Sequence, residues 1–466
     1  MSQVYPRESR LIVLEPGSFQ TKAGYVDQAT LSVVNVPSIA GAKVRRRQQN
    51  TAESLLADSI SAKITEDAVK EEQKPEDTTT PMEIQEPPSS AASVAETGVD
   101  GSNEAEEEEE FETVYVAGAS LATEQTEPKD TPEWKVVKPI RNGLVEDWDA
   151  LSGLWQHILL RELPTAMKRS RNDWSVMLTV PMSWSKEDHK RATKIMFEDM
   201  NILAFSIIEQ PLAALYGGNV TTGLVIDIGH ETTDVTPIID NIIIRHAYKT
   251  IPLGGRDIEH RMAQLLREDA TSMAELGDIG LNEDIVRIIK ESGACEVKPG
   301  SGWSADGEEQ RVTLEVKGKQ ISIGSARYRS TDILFDPIAA GKHTLSIQEA
   351  CYLAVTEACE PERRTSLWDN LMLTGGCSLL KGMKQRLEVE IGSLIAASET
   401  SNEFQAKDIK WVNMPDYFTA YKDRLQDASY VGASVVAKII FLGSSFGYLT
   451  KADYNEIGPA AIYLKA

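Results

Sequence analysis

The sequence predicts an α/β fold made of two similar halves that face each other across a cleft, with a long acidic insertion near the start. Three observations carry this expectation. Two stretches share one plan, an apolar strand that ends in an acid, a Gly-containing turn and a returning strand: Leu11–Glu15 before Pro16-Gly17, and Gly223–Asp227 before Gly229. Strands and amphipathic helices interleave through the rest of the chain, as in a sheet covered by helices. Between Thr51 and Glu112 there are 19 acids against 3 lysines, with PEDTTTP, EPPSSAAS and the run Glu106–Glu110 among them. A segment so poor in apolar residues cannot bury enough surface to offset its ordering entropy, so disorder is expected there.

The elements follow in order. Leu11–Leu14 (LIVL) is a short apolar strand closed by Pro16-Gly17, and Leu31–Val36 is a second strand. Val136–Ile140 and Val176–Val180 (VMLTV) read as further strands. In Trp148–Leu163, Leu151, Leu154, Trp155, Ile158 and Leu159 recur at helical spacing. Lys186–Met200 is a second amphipathic helix behind a capping position at Ser185. Gly223–Asp227 (GLVID) is a buried strand, and Thr233–Ile238 returns after the turn. From Asp369 the chain supplies another strand, the Gly375-Gly376 turn and a helix.

Composition narrows the function. The chain has 466 residues, 41% hydrophobic, which is enough for more than one core. Its net charge of −23 repels phosphate backbones, so a freestanding or sequence-specific DNA grip is not expected. No apolar run approaches the ~20 residues of a membrane span, and the most apolar stretch, Val431–Leu442, is interrupted by Lys438. The first residues, MSQVYPRESR, carry no apolar stretch of a secretory signal, which leads to the expectation of a soluble intracellular protein. The four cysteines form no C-x-x-C and have no histidine at metal spacing, so free thiols and no metal site are expected. P-loop, H-E-x-x-H and G-x-S-x-G patterns are absent.

Glu15-Pro16-Gly17-Ser18, Asp227-Ile228-Gly229 and Gly375-Gly376 then converge. Two acid-bearing turns that face each other make a pocket for a phosphate tail, and a double-Gly turn lets backbone press against a base. In this arrangement the chain resembles actin and the actin-related proteins over nearly its whole length outside the acidic insertion. Lys22–Tyr25 followed by Val36–Ile39 is similar to the first phosphate hairpin and the strand after it. Pro139–Gly143 with Asp147-Trp148-Asp149 is similar to the family's P-I-x-x-G and W-D segment. Ile195–Glu198, Gln210, Leu215-Tyr216 and Thr221–Asp227 resemble the region that joins the lobes; Leu253–Asp257 and Asp284–Glu291 resemble the second lobe's smaller part. Val431–Ser434 and Lys451–Pro459 are similar to the family's ending.

The resemblance implies an actin-like fold, duplicated ribonuclease H-like halves as two lobes around a central cleft. Residues 1–40 and 113–217 would form the first lobe and 218–411 the second. Residues 41–112 would be an acidic disordered insertion in place of the small outer subdomain, and 412–466 would return to the first lobe. It also implies a nucleotide site. Ser18, Lys22, Gln210, Asp227 and Gly229 fall on its phosphate side, and Arg287, Lys290, Glu291, Gly375 and Gly376 on its adenosine side. The departures fall in the same place. Phe19 stands where the first hairpin has a glycine, and Glu15 replaces its aspartate. His230 and Glu231 replace an acid and a glycine, Asp234 holds the position of a histidine, and Gln426-Asp427 replace the pair that packs on the base. Hydrolysis is therefore not expected, no catalytic residue or metal is assigned, and the cleft is either empty or holds ATP without turning it over.

Filament formation is not expected either, because the outer subdomain that reaches the next protomer is replaced. A partner-helix groove is expected at Tyr216, Val431, Val435, Val436 and Ile439, since i, i+4, i+8 spacing puts Val431, Val435 and Ile439 on one helix face. The same spacing also fits internal packing. Within the family the resemblance is to fungal nuclear members, carried by Ile226–Pro237, Ile251–Gly255, Trp368–Gly376, Met414–Phe418, Phe441-Leu442-Gly443 and Gly458–Ala461. It implies a subunit of SWI/SNF and RSC chromatin remodellers, paired with a second actin-related protein on a helical segment of the motor ATPase. The alternatives are an actin-like ATP-binding switch or weak ATPase, and a histone-binding module that uses the acidic stretch.

Overall fold

The computed structural model describes residues 6–26, 33–46, 111–117, 135–163, 167, 170, 172–298, 311–398, 408–443 and 447–465. The expected acidic insertion lies outside the described residues, except for the strands Ala40–Arg46 and Phe111–Ala117 at its borders. Residues 1–42 and 115–466 form one compact unit, and Lys43–Val114 is a separate one.

The two main sheets of the larger unit repeat one arrangement. The first runs in the order Leu449–Thr450, Ala204–Glu209, Ser175–Val180, Leu11–Glu15, Gln20–Tyr25, Val33–Pro37. The second runs Ile242–Ile243, Thr233–Ile239, Gly223–Ile228, Leu371–Thr374, with Lys249–Ile251 also against Thr233–Ile239. In each, a hairpin pairs antiparallel, and its leading strand pairs in parallel with a strand from much later in the chain. The registers are Leu11↔Ser175 to Leu14↔Leu178 in one sheet and Leu224↔Leu371 to Asp227↔Thr374 in the other. The later strands of these pairs, Ser175–Val180 and Leu371–Thr374, are buried along their whole length, as expected for strands covered on both faces.

Local chemistry explains where elements stop. The expected strand Val136–Ile140 is two pieces, Lys135–Val137 and Ile140–Arg141. Pro139 has no N–H to donate and restricts Lys138 before it, so the ladder breaks between them. Ile140–Arg141 instead pairs with Leu144–Val145 around Asn142-Gly143, both at positive φ (49° and 75°), the turn that Asn-Gly favours. Trp148–His157 is α-helical behind Asp147, whose carboxylate accepts from the Ala150 N–H, and a wider π-type turn continues to Glu162. Ser185 caps Lys186–Lys194 reciprocally with Asp188, and a similar wide turn carries on to Asp199.

Two helices tie the sheets together. Gln210–Gly217 and Ala428–Leu442 cross so closely that a Cβ on Gly432 would lie 1.7 Å from the Ala213 carbonyl oxygen. Tyr430, Ala433 and Ala213 pack with Leu11, Val13 and Met177 of the first sheet. Val431, Ala214 and Leu215 pack with Val225 and Met372 of the second. Leu425–Leu442 is apolar and long enough to cross a membrane by length and composition, yet more than half of it is buried in this core. Val431 is fully buried there, which corrects its expected place in a surface groove. All four cysteines are free, and Cys295, Cys351 and Cys377 are buried.

Candidate functional site

The ends of the two hairpins meet across a cavity of about 540 Å³. In the first hairpin Glu15 and Lys22 are register partners, and the turn between them needs glycine at Gly17, where a Cβ would come within 2.7 Å of the Gln20 oxygen. Lys22 Nζ lies 3.0 Å from Glu15 Oε1, 2.6 Å from the Gln426 carbonyl oxygen and 3.2 Å from Asp427 Oδ1. An ammonium has three protons, and these three acceptors use them. Arg424 pairs with the other oxygen of Asp427 at 2.6 Å. Burial works against the charge on Lys22, but Glu15 and Asp427 outweigh it and hold its pKa above the usual lysine value. Burial pushes the Glu15 carboxyl up, with Lys22 pulling part of the way back.

In the second hairpin the corresponding register partners are two acids, Asp227 and Asp234. Burial, then the neighbouring Asp234 and Glu15, raise Asp227 to about 7. Asp234 is raised by burial, while hydrogen bonds from Thr250, Tyr248 and Thr232 favour its charged form. Tyr248 donates its hydroxyl to Asp234 Oδ1 at 2.5 Å. Gly375, at φ 83°, lies so close that a Cβ there would be 2.3 Å from Asp227 Oδ1 and 2.5 Å from the Ile228 oxygen. The double-glycine turn therefore presses on the second hairpin.

The tip of the second hairpin is pinned by the start of the helix Gly255–Glu268. Gly255 N–H donates to the Gly229 oxygen at 2.9 Å and Arg256 N–H to the His230 oxygen at 2.7 Å. Burial, then Lys290, Arg287, Arg256 and Lys138, drive the His230 pKa down to about 3, so its ring is neutral. That ring packs on Phe19 of the first hairpin, with centroids 4.7 Å apart, and the Arg287 guanidinium lies 4.9 Å from the Phe19 centroid. Glu231 Oε2 accepts from the Asn142 backbone N–H at 2.6 Å, and its Oε1 accepts from Arg256 at 2.7 Å.

Of the ten expected nucleotide-side residues, Ser18, Lys22, Gln210, Asp227, Gly229, Lys290, Glu291, Gly375 and Gly376 line the cavity; Arg287 does not. Gln210 donates weakly to the Pro16 oxygen at 3.4 Å, and Lys290 forms a short ion pair with Glu259. Among the described residues no group of three or more His, Cys, Asp or Glu is placed to hold a metal. Asn142 and Arg256 belong to family-like motifs far apart in the chain, and nothing in their local pattern signals that they meet at Glu231.

The groove residues separate. Tyr216 and Val436 are half-buried against the first-sheet core, and Val435 is half-buried. Ile439 is 61% exposed and Leu442 43%, so the apolar outer face lies at the C-terminal end of Ala428–Leu442.

The actin family model matches residues 7–466. The SWI/SNF and RSC complexes subunit arp9 of Schizosaccharomyces pombe is 28% identical over 436 residues, covering 75% of this chain and 82% of that protein.

Proposed function

The chain belongs to the actin family, and from that premise we propose that it is a non-catalytic nuclear subunit of an ATP-dependent chromatin remodeller of the SWI/SNF and RSC type. In this reading it sits beside a second actin-related protein on a helix of the motor ATPase and adjusts how ATP use is coupled to remodelling. Similarity to a protein named as a subunit of those complexes supports the assembly role. The observation that carries the non-catalytic part is the engagement of Lys22: its three protons go to Glu15, Gln426 and Asp427, leaving none for a phosphate. This reading assigns no hydrolytic step and leaves the cleft either empty or holding ATP that is not turned over. The docking face is the exposed end of Ala428–Leu442, where Val435, Ile439 and Leu442 offer apolar surface to an amphipathic helix.

The test is a Val435→Asp/Ile439→Asp variant of the full chain, tagged and purified from nuclei. The expected result is a variant that still folds and loss of the motor ATPase from the purified complex. A folded variant that still brings down the motor would overturn the groove. Native mass spectrometry of the wild-type complex should give this subunit at its bare chain mass; a retained nucleotide together with steady phosphate release would favour an ATP-driven switch.

A further inference from the structure

We propose that the protein's own side chains latch the two lobes together across the cleft, through one aromatic pin and one charge-assisted hydrogen bond, so that closure does not depend on a ligand. The inference is independent of the remodeller assignment. Phe19 comes from the first hairpin; the groups that hold it, His230 and Arg287, come from the second hairpin turn and the helix Glu283–Glu291. A ring from one lobe thus packs against a neutral imidazole and lies near a guanidinium of the other. The hydrogen-bonded pin runs in the opposite direction. Glu231 leaves the second hairpin and takes the Asn142 N–H at the tip of the Ile140–Val145 hairpin of the first lobe.

Both pins are built to stay formed. The Glu231 side chain is only 5% exposed, so water does not compete for it, and its charge is met by Arg256 from its own lobe. Arg256 in turn reaches Asn142 Oδ1 at 3.4 Å, so the two residues grip Asn142 by both its backbone and its side chain. The hairpin tip carrying Glu231 cannot swing away freely, since Gly229 and His230 are hydrogen-bonded to the start of Gly255–Glu268. A Cβ at Gly254 would fall 2.7 Å from the His230 carbonyl, which shows how tightly that tip is seated. The crossed helices Gln210–Gly217 and Ala428–Leu442 also join the same two sheets. The lobes are therefore fastened both at the helix pair and at the cleft.

The test is hydrogen–deuterium exchange on the full-length chain without added nucleotide, comparing wild type with Phe19→Ala/Glu231→Ala. The Asn142 amide reports the hydrogen-bonded pin directly, and Ala428–Leu442 serves as internal reference. The expected result is at least about tenfold faster exchange at Asn142 and at Gly229–Thr232, with the reference helix unchanged. Equal exchange in the two proteins would overturn the latch. If the double variant does not fold, Phe19→Leu keeps apolar volume but loses the ring face, and should speed exchange at Gly229–Thr232 alone; no change there would likewise overturn the aromatic pin. Motor binding through Ile439 is unaffected by either outcome, so the latch and the proposed function fail separately.

Discussion

The hairpins Leu11–Tyr25 and Gly223–Ile239 occupy the same place in their two sheets, yet their ends carry opposite chemistry. In the first, the last register pair is Glu15 with Lys22, an ion pair at 3.0 Å. In the second, the corresponding pair is Asp227 with Asp234, two acids opposite each other. Cross-strand opposite charges stabilise a ladder and like charges weaken it. The first hairpin sets a side-chain cation against its buried acid, whereas in the second burial, then the neighbouring Asp234 and Glu15, raise Asp227 to about 7, so that it holds a proton below neutral pH. A duplicated backbone can keep its strand pattern while its two copies solve the problem of a buried carboxyl differently.

Removing the cation should give the largest effect. Lys22→Met would leave Glu15 and Asp427 buried without their shared partner, and a loss of about 4 kcal/mol is expected, read as a lower urea midpoint. Arg424 still faces Asp427, so the cost falls mainly on Glu15.

The second hairpin predicts a change of opposite sign. Asp227 binds its proton more tightly when folded than at its ordinary value of 3.8, so its contribution to stability is complete below about 4 and is lost as the pH rises to about 7. Asp227→Asn should abolish this slope and stabilise the protein by up to about 4 kcal/mol above pH 7, with no gain at pH 4. Denaturation curves at several pH values would check it; a variant that gains nothing above pH 7 contradicts the protonated acid. His230 works the other way, since its lowered pKa removes stability as the pH falls below the ordinary histidine value of 6.5.

The smallest contrast lies in the turn glycines. A Cβ at Gly17 would meet the Gln20 oxygen at 2.7 Å, and one at Gly229 the Thr232 oxygen at 3.0 Å. Gly17→Ala should cost about 2 kcal/mol and Gly229→Ala about 1 kcal/mol, a ranking that thermal melts can read. Equal costs would mean that the second turn has no more room than the first.

Much of this architecture is legible from the chain alone. The apolar runs Leu11–Leu14 and Gly223–Asp227, each followed by an acid or turn glycine, locate both hairpins to within a residue or two. Ser185 acts through local hydrogen bonding, so its role follows from residue type and spacing. Pro139 is the exception within local structure, because a β-rich run around it reads as one strand until the missing donor is counted.

The paired hairpins, the family and nine of the ten expected cleft residues are encoded locally, because strand alternation, turn chemistry and motif spacing are written over a few neighbouring positions. Which of those residues are occupied with one another is not encoded that way and emerges only when the chain packs. Lys22 takes the carbonyl of Gln426, 404 positions away, and Phe19 finds His230. Along one helix stripe, Val431 is fully buried between the sheets, while Ile439 is 61% exposed. Helical spacing gives both residues the same face; it does not say that the first end of the helix enters the core and the other leaves it. Those outcomes depend on how two sheets dock around a shared helix pair, and docking is set by the whole packed surface rather than by any local period.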